Sequence, residues 1–469
     1  MLACPACGEH APPPITVPNP VWFTCPRCGE RTPRMELDTY VDKAFSRGLV
    51  GSPPPARSRT DYATGPDYPR PWCYVGSSGN GDPILSGAVL SIGGTFDSAN
   101  LAAIAKFPMV TINTTPFSDF HPQIISMLRA LNPRIIIAWY DTFMQRFTFL
   151  NPGTMWKAEY DAFKPYELFD TGGNSFPESN PNNFWIDTGD TQTAQTAIWQ
   201  QYAINGRDAD GVFLDYAHGL VRGGGFVSGL PVDPVAAGYA DQAAMDTATT
   251  NALDNCVTAF KSAGIVLGNG NATAGSKAKW SGELFEGWPN SQGGASNLDT
   301  ALAVIAPTMG AGIDGGGSAL LKLEDFSAGY GATWNKNARY VLGCATLYGG
   351  YAFIGPDRAL PPTYTPYYPT LWADEWSVTP QGVHDTTGVH VGWLGRPTEL
   401  PAKDVTSGIW VRRFTRGVVC VNGTSGSLTV DLGTNYKRIT GLRDVTVNNG
   451  ATEQNVSVGA KDAVFLLKI

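Results

Sequence analysis

Short apolar runs alternate with stretches of helical character through the middle of this chain, and that alternation limits its fold more than any other feature. The run at 88–92 is followed by SANLAAIAKF, the run at 109–112 by HPQIISMLRAL, and the run at 134–140 comes next. The run at 211–214 precedes the long helical stretch 234–264. Runs at 265–267 and 283–285 follow, then the helix-like NLDTALAVIA, the run at 320–323, NKNARYVLGCATLY, and a last run at 351–354. Strands that are apolar on both faces belong to a parallel sheet covered by helices. About eight such units specify an α/β fold of the (β/α)8 TIM-barrel type, expected over 83–404. An open doubly wound sheet is the alternative. It is disfavoured because no phosphate-binding glycine loop follows the first run: GGT at 93–95 is not GxGxxG, and GxxxxGK[ST] is absent.

Of the 469 residues, 43% are hydrophobic and 16% charged, which supplies a core and excludes a disordered chain. The net charge of −8 lacks the basic footprint of a duplex-binding protein, so no nucleic-acid partner is expected. No apolar run approaches the ~20 residues of a membrane span, so no membrane partner is expected either. The opening residues MLACPACGEH show neither a basic nor an apolar signal region. The expectation is cytoplasmic synthesis without a signal peptide, where cysteines serve as metal ligands or buried thiols.

Two matched knuckles, Cys4-Pro-Ala-Cys7-Gly8 and Cys25-Pro-Arg-Cys28-Gly29, are separated by 17 residues. Four thiolates at this spacing suit tetrahedral Zn²⁺, and a closed four-cysteine site is structural. Residues 1–35 are therefore expected to be a zinc ribbon that folds on its metal, with Cys4, Cys7, Cys25 and Cys28 as ligands. Fourteen of the 35 prolines lie in the first 80 residues, and 36–82 reads as a Pro/Gly-rich linker or an ordered arm. Ribbon and arm together are a candidate surface for a protein partner. From 405 to 469, short strand-like runs separated by Gly, Asn and Thr turns are expected to form an antiparallel β-sandwich. Cys73, Cys256, Cys344 and Cys420 read as buried small hydrophobes.

Chemistry in a barrel sits at the C-terminal strand ends. There the sequence places Asp97, Asn113, Asp141, Asp215, Asn269, Asn271, Glu286, Trp288, Glu324, Asp325 and Asp357. Carboxylates and amides dominate; HExxH and GxSxG are missing, and of five histidines only His218 falls near a strand end. Two carboxylates flanking a bond, one a nucleophile or base and one a general acid, are the economical chemistry for this set. The segment DGVFLDYAH, 210–218, is the most informative, because an apolar strand ends in Asp215.

DGVFLDYAH resembles the fourth-strand motif of TIM-barrel glycoside hydrolases in the α-amylase clan and in related hypothetical glycosyl-hydrolase-like groups. The resemblance implies that Asp215 is the nucleophile. The amylase pattern carries Arg two residues before that Asp, where this chain has Phe213, so the looser groups fit better. Further segments share the order of those groups: Asp170-Thr-Gly-Gly-Asn, Phe184-Trp-Ile-Asp, Ile265-Val-Leu-Gly-Asn-Gly-Asn271, Gly282-Glu-Leu-Phe-Glu286-Gly-Trp288, Trp372-Ala-Asp-Glu-Trp376 and Gly392-Trp-Leu-Gly-Arg396. The resemblance spans 83–469 and implies Glu286 as the acid, with Glu283 and Glu324 as competitors. Trp139, Asp141, Tyr216, His218, Asn269, Asn271, Trp288 and Glu324 are the expected sugar contacts. Asp215 as a mere helix cap, and the amides as polar supports, are the bland alternatives.

The function expected is a glycosidase acting on a polysaccharide or glycan, with retention of configuration. A virion-associated depolymerase is one setting for it. The alternative is a non-catalytic carbohydrate-binding or structural module of a larger assembly, such as a bacteriophage tail.

Overall fold

A computed structural model describes residues 68–76, 102, 104–113, 121–147, 166–173, 183–189, 209–219, 231–270, 272–286, 298–300, 302–303, 318–323, 332–354, 373–376, 378–385 and 392–469, together with four short N-terminal strands. Those four are β1 (Leu2–Ala3), β2 (His10–Ala11), β3 (Trp22–Thr24) and β4 (Arg31–Pro33), and β1 pairs with β2 and β3 with β4, both antiparallel. Each hairpin encloses one CPxCG segment. Cys4, Cys7, Cys25 and Cys28 lie outside the described residues.

Eight strands form one parallel sheet: β5 (Trp72–Gly76), β6 (Met109–Asn113), β7 (Ile136–Thr142), β10 (Gly211–Asp215), β11 (Ile265–Gly268), β12 (Gly282–Glu286), β13 (Ser318–Leu323) and β14 (Tyr351–Ile354), hydrogen-bonded in that order. The hairpin of β8 (Gln145–Phe147) and β9 (Asn183–Trp185) stands apart from it. The sheet curls until its first and last strands meet. Pro71 bridges Ala352 in parallel, and the Ala352 N–H donates to the Arg70 carbonyl at 3.0 Å.

Side chains alternate along each strand, so the curled sheet has two cores. Trp72, Met109, Ala138, Tyr140, Phe213, Leu267, Leu284, Tyr351 and Phe353 form the inner one. Val110, Ile112, Ile137, Trp139, Val212, Leu214, Val266 and Phe285 belong to the outer one, which the helices cover. Across the interior, Trp72 lies 6.4 Å from Phe213 and 5.4 Å from Phe353, ring to ring. Helices His121–Leu131, Gln242–Ala263, Ala274–Lys277 and Ala332–Tyr348 fall between successive strands, as the alternation requires. The longest of them starts where Asp241 accepts from the Ala244 N–H at 2.8 Å, an N-cap that satisfies one of the open donors.

The sheet begins earlier than the expected limit at 83. Trp72–Gly76 falls inside the segment read as linker or arm, yet it is the first strand. Pro69, Pro71 and the GSSG that follows give it the composition of a loop. Proline is nonetheless compatible with a strand's leading edge, where no ladder N–H is needed. The run at 88–92, expected as the first strand, lies outside the described residues.

The C-terminal region forms one antiparallel sheet of six strands, not the two sheets of the expected sandwich. Its members are β15 (Ala402–Lys403), β16 (Trp410–Arg413), β17 (Gly417–Asn422), β18 (Leu428–Arg438), β19 (Thr452–Val458) and β20 (Asp462–Lys468), in the order β15-β16-β17-β20-β18-β19. β18 runs unbroken through the glycine at 433, because the register shift between Asp431 and Tyr436 absorbs the irregularity within a single strand. Val419, Val421, Ala463, Phe465 and Leu467 join the outer core of the parallel sheet, and Val418, Cys420, Val464 and Leu466 face the other way. Helix Ala332–Tyr348 packs against the first set. Gly343 permits that approach, since a Cβ there would lie 2.5 Å from the Ala463 methyl. Cys256, Cys344 and Cys420 are buried and form no disulfide, as expected.

A buried polar cluster ties the two sheets together. Arg339, on the shared helix, donates from Nε and Nη2 to both oxygens of Asp462, at 2.8 and 2.7 Å. Its Nη1 reaches Asp444 at 2.9 Å and Glu375 at 3.5 Å. Asn448 donates to Glu375 at 2.6 Å. Asp374 accepts the backbone N–H groups of Leu442, Arg443 and Asp444, and His384 Nδ1 stands 3.5 Å from it. Three carboxyl groups thus meet one guanidinium, and a fourth, Asp374, shares the Asn448 amide with Glu375. Burial pushes Glu375 up to about 7, with Asp374 adding repulsion against the pull of Arg339. A carboxyl group raised in the folded state costs stability as pH climbs through its unfolded value, and the full cost is present above its folded value. Between pH 4.5 and pH 8 the native protein should lose about 2–3 kcal/mol more than Glu375→Gln, measured by urea unfolding across that range. Parallel pH profiles for the two proteins would contradict this.

Candidate active site

All eight strands of the curled sheet run the same way, so their C-terminal ends open on one side. Asp215 is the last residue of β10 and is in phase with Phe213, which lies in the inner core. Its carboxylate is therefore aimed along the inner face and is half-buried. Three donors converge on it. The Tyr140 hydroxyl donates to Oδ2 at 2.7 Å, the Asn269 side-chain amide to Oδ1 at 2.9 Å, and the Tyr216 backbone N–H to Oδ1 at 2.9 Å. Tyr140 comes from β7 and Asn269 follows β11, the two strands that flank β10.

The backbone beyond Asp215 is shaped to make this possible. Tyr216 adopts φ +48°, a left-handed conformation that costs a non-glycine residue of order 1 kcal/mol. The turn it makes lets the Ala217 N–H donate to the Asn269 carbonyl at 2.8 Å. Gly270 lies directly against Ala217, where an added Cβ would come within 2.5 Å of the Ala217 carbonyl carbon and oxygen. The Asn-Gly of IVLGNG is thus a packing requirement that places Asn269 beside the carboxylate.

Next to the carboxylate lies an aromatic group. Trp185, the last residue of β9, stacks on His218 with centroids 5.3 Å apart at 17°, and Tyr216 meets it edge-on at 6.1 Å. Tyr216 and His218 are half-buried, 6.0 Å apart. Burial lowers the His218 imidazole to about 4.

Several expected contacts are placed differently. Trp139 is fully buried in the outer core, under the helices, and Asp141 is buried as the register partner of Leu214 on the same side. Asp141 Oδ1 accepts the Thr142 N–H at 2.7 Å. Neither meets the inner face, because both are out of phase with Tyr140. Asn269 holds Asp215 directly, so its amide supports the carboxylate. Glu283 is buried on the outer side and ion-paired with Lys277, which removes it as a partner of Asp215. Glu286 ends β12, opposite Lys322 of β13, and its side chain lies outside the described residues. So do Asn271, Trp288 and Glu324. Two residues escaped the sequence reading. Tyr140 lies between the two that were named, and the register Tyr140↔Phe213 identifies it as the inward one. Trp185 stands in the quoted FWID segment, but only the fold brings it to His218.

Residues 129–418, more than half of the chain, match the family described as hypothetical glycosyl hydrolase family 15. The chain belongs to that family. The family match runs from the end of helix His121–Leu131 into β17 and contains Asp215, Tyr140, Asn269 and the aromatic group. This hypothetical glycosyl hydrolase is accordingly a glycosidase-type enzyme whose substrate is a carbohydrate. No curated protein sequence matches it. Solved structures similar to it include an alpha-glucosyl transfer enzyme at 11% identity and TM-score 0.46, covering 85% of this chain and 98% of that one. A cycloalternan-degrading enzyme from Trueperella pyogenes is similar at 10% identity and TM-score 0.43, covering 94% and 63%. A trehalose-6-phosphate hydrolase from Bacillus licheniformis is similar at 10% identity and TM-score 0.42, covering 85% and 99%. Among the described residues no helix is long and apolar enough to cross a membrane.

A histidine whose folded value is depressed stays neutral through the physiological range. The His218 ring-proton resonance, assigned by its loss in His218→Gln, should show no inflection between pH 5 and pH 8. A midpoint near 6.5 would mean that the imidazole is open to water and the stack on Trp185 does not persist.

Proposed function

We propose that this family member hydrolyses a glycosidic bond in a polysaccharide or glycan, with Asp215 as nucleophile and Glu286 as general acid. The observation that carries the reading is the half-buried Asp215 carboxylate at an inward-facing strand end, held by three donors on or just beyond three adjacent strands. A merely capping aspartate would spend its oxygens on a helix N-terminus. This one accepts two side-chain donors across the sheet and points along the interior.

Position 286 is in phase with Leu284, an inner-core residue, and out of phase with Glu283. That phase favours 286 over 283 as the second carboxyl position, two strands from Asp215. We read the curled sheet as the wall of a (β/α)8 barrel, with the site at its C-terminal mouth. A separation near 5–5.5 Å between the carboxyl groups gives retention through a glycosyl-enzyme, and that is the mechanism proposed. In the first step Asp215 attacks the anomeric carbon while Glu286 gives its proton to the departing oxygen. In the second, Glu286 takes a proton from water as that water displaces Asp215. The C-terminal sheet serves to cover the flank of the parallel sheet through helix Ala332–Tyr348.

Asp215→Asn keeps shape and removes charge. Reducing-sugar release from a panel of bacterial glycans should fall by a factor of about 10³ or more in this variant, with the thermal unfolding midpoint nearly unchanged. Equal release by both proteins would overturn the assignment of Asp215. Proton NMR of the first-formed anomer then decides between retention and inversion.

We also propose a structural Zn²⁺ held by Cys4, Cys7, Cys25 and Cys28. Its support is the matched spacing and the two hairpins, β1–β2 and β3–β4, that each carry one knuckle. Metal analysis of the purified chain should find about one zinc per molecule, lost in Cys25→Ser with the hydrolytic activity retained. A zinc-free chain with all four thiols reactive would refute it.

A further inference from the structure

We propose that Tyr140 is a positioning residue that sets the charge and orientation of Asp215, an inference that rests on Asp215 being the reacting carboxylate. Tyr140 and Phe213 are register partners in neighbouring strands, and their rings stack at 5.7 Å and 15°. Asp215 stands two residues beyond Phe213 on the same face. Two residues of strand advance the chain by about 6.6 Å, close to the reach of a tyrosine from Cα to hydroxyl. The ring lies flat on Phe213 and so delivers its hydroxyl to the height of the carboxylate, where it donates to Oδ2 at 2.7 Å. Tyr140 is itself only 9% exposed, and Phe213 is packed in turn by Trp72 at 6.4 Å. The donor is therefore held by the inner core, with little rotamer freedom to lose when substrate enters.

The two side-chain donors differ in kind. The Asn269 amide is tied to a turn that needs a left-handed Tyr216 and a bare Gly270. The Tyr140 hydroxyl is tied to rigid sheet. Both stabilise the charged carboxylate, because a hydrogen bond to the ionised form favours that form. Removing the hydroxyl leaves the ring stack intact and withdraws one charge-assisted bond.

The test uses the full chain labelled with ¹³C at aspartate carboxyls, with the Asp215 signal assigned by its loss in Asp215→Asn. Tyr140→Phe should move the Asp215 titration midpoint up by about one pH unit, roughly tenfold in proton affinity, or more. Tyr351→Phe deletes another buried hydroxyl from the same inner core and should leave the midpoint where it is. On a hydrolysed glycan, the acid limb of the kcat profile should move up with the midpoint in Tyr140→Phe, and kcat should fall more than KM changes. An unmoved Asp215 midpoint in Tyr140→Phe overturns the proposal, as does an equal movement in Tyr351→Phe. Should Asp215→Asn hydrolyse glycans normally, the reading of Asp215 as nucleophile falls instead, and the titration still decides what Tyr140 does to it.

Discussion

The inner face of the curled sheet is an aromatic stack, and the placement of the site follows from it. Trp72 begins the first strand and touches Phe213 and Phe353 across the interior, and Phe213 lies flat on Tyr140. These rings bury large apolar areas and hold each other at offsets that aromatic pairs favour. They also fix the phase of every strand they occupy. A one-residue slip in β10 would turn Phe213 toward the helices and carry Asp215 with it. The same contacts that fill the interior thus dictate which residues reach the open end of the sheet.

The second sheet is bound by a different kind of interaction. Its apolar face lies on helix Ala332–Tyr348, where Gly343 brings Val421 and Ala463 close. That apolar contact is non-directional and would tolerate small shifts. Arg339 supplies direction: a bidentate contact with Asp462, a third bond to Asp444, and Asn448 bridging Asp374 and Glu375. Buried ionic clusters contribute little net stability, because desolvation offsets their attraction. Here that desolvation shows as the raised Glu375, with Asp374 adding repulsion. The arrangement fits a contact that fixes how the sheets dock rather than how strongly.

The parallel sheet was legible because its strands are apolar on both faces and recur with helices between them. Met109–Asn113, Gly211–Asp215, Ile265–Gly268 and Tyr351–Ile354 all lie where short apolar runs stand in the sequence. The first strand was not legible, since Pro69, Pro71 and the following glycines make Trp72–Gly76 read as loop. Asp215 was legible because a polar residue ends an apolar run. Its partners were not. In a strand buried on both faces hydropathy carries no phase, so Trp139 and Asp141 looked as eligible as Tyr140. Only the register with Phe213 separates them. In the C-terminal region strand composition was visible, but whether β18 breaks into two sheets depends on a register shift that no composition records.

Local strain gives the site its remaining geometry. Tyr216 is held in a left-handed conformation immediately after Asp215, and its N–H turns back onto Oδ1. Relaxing Tyr216 to an ordinary strand conformation would swing that N–H away and open the bond between Ala217 and the Asn269 carbonyl. Asn269 would then lose the anchor that keeps its amide beside the carboxylate. The conformational cost at Tyr216 is therefore balanced by a chain of hydrogen bonds that all end on Asp215. Donors fixed before substrate arrives do not have to reorganise as charge moves during bond breaking. On the proposed role of Asp215, that preorganisation draws on two sources: the aromatic interior through Tyr140, and the strained turn through Asn269.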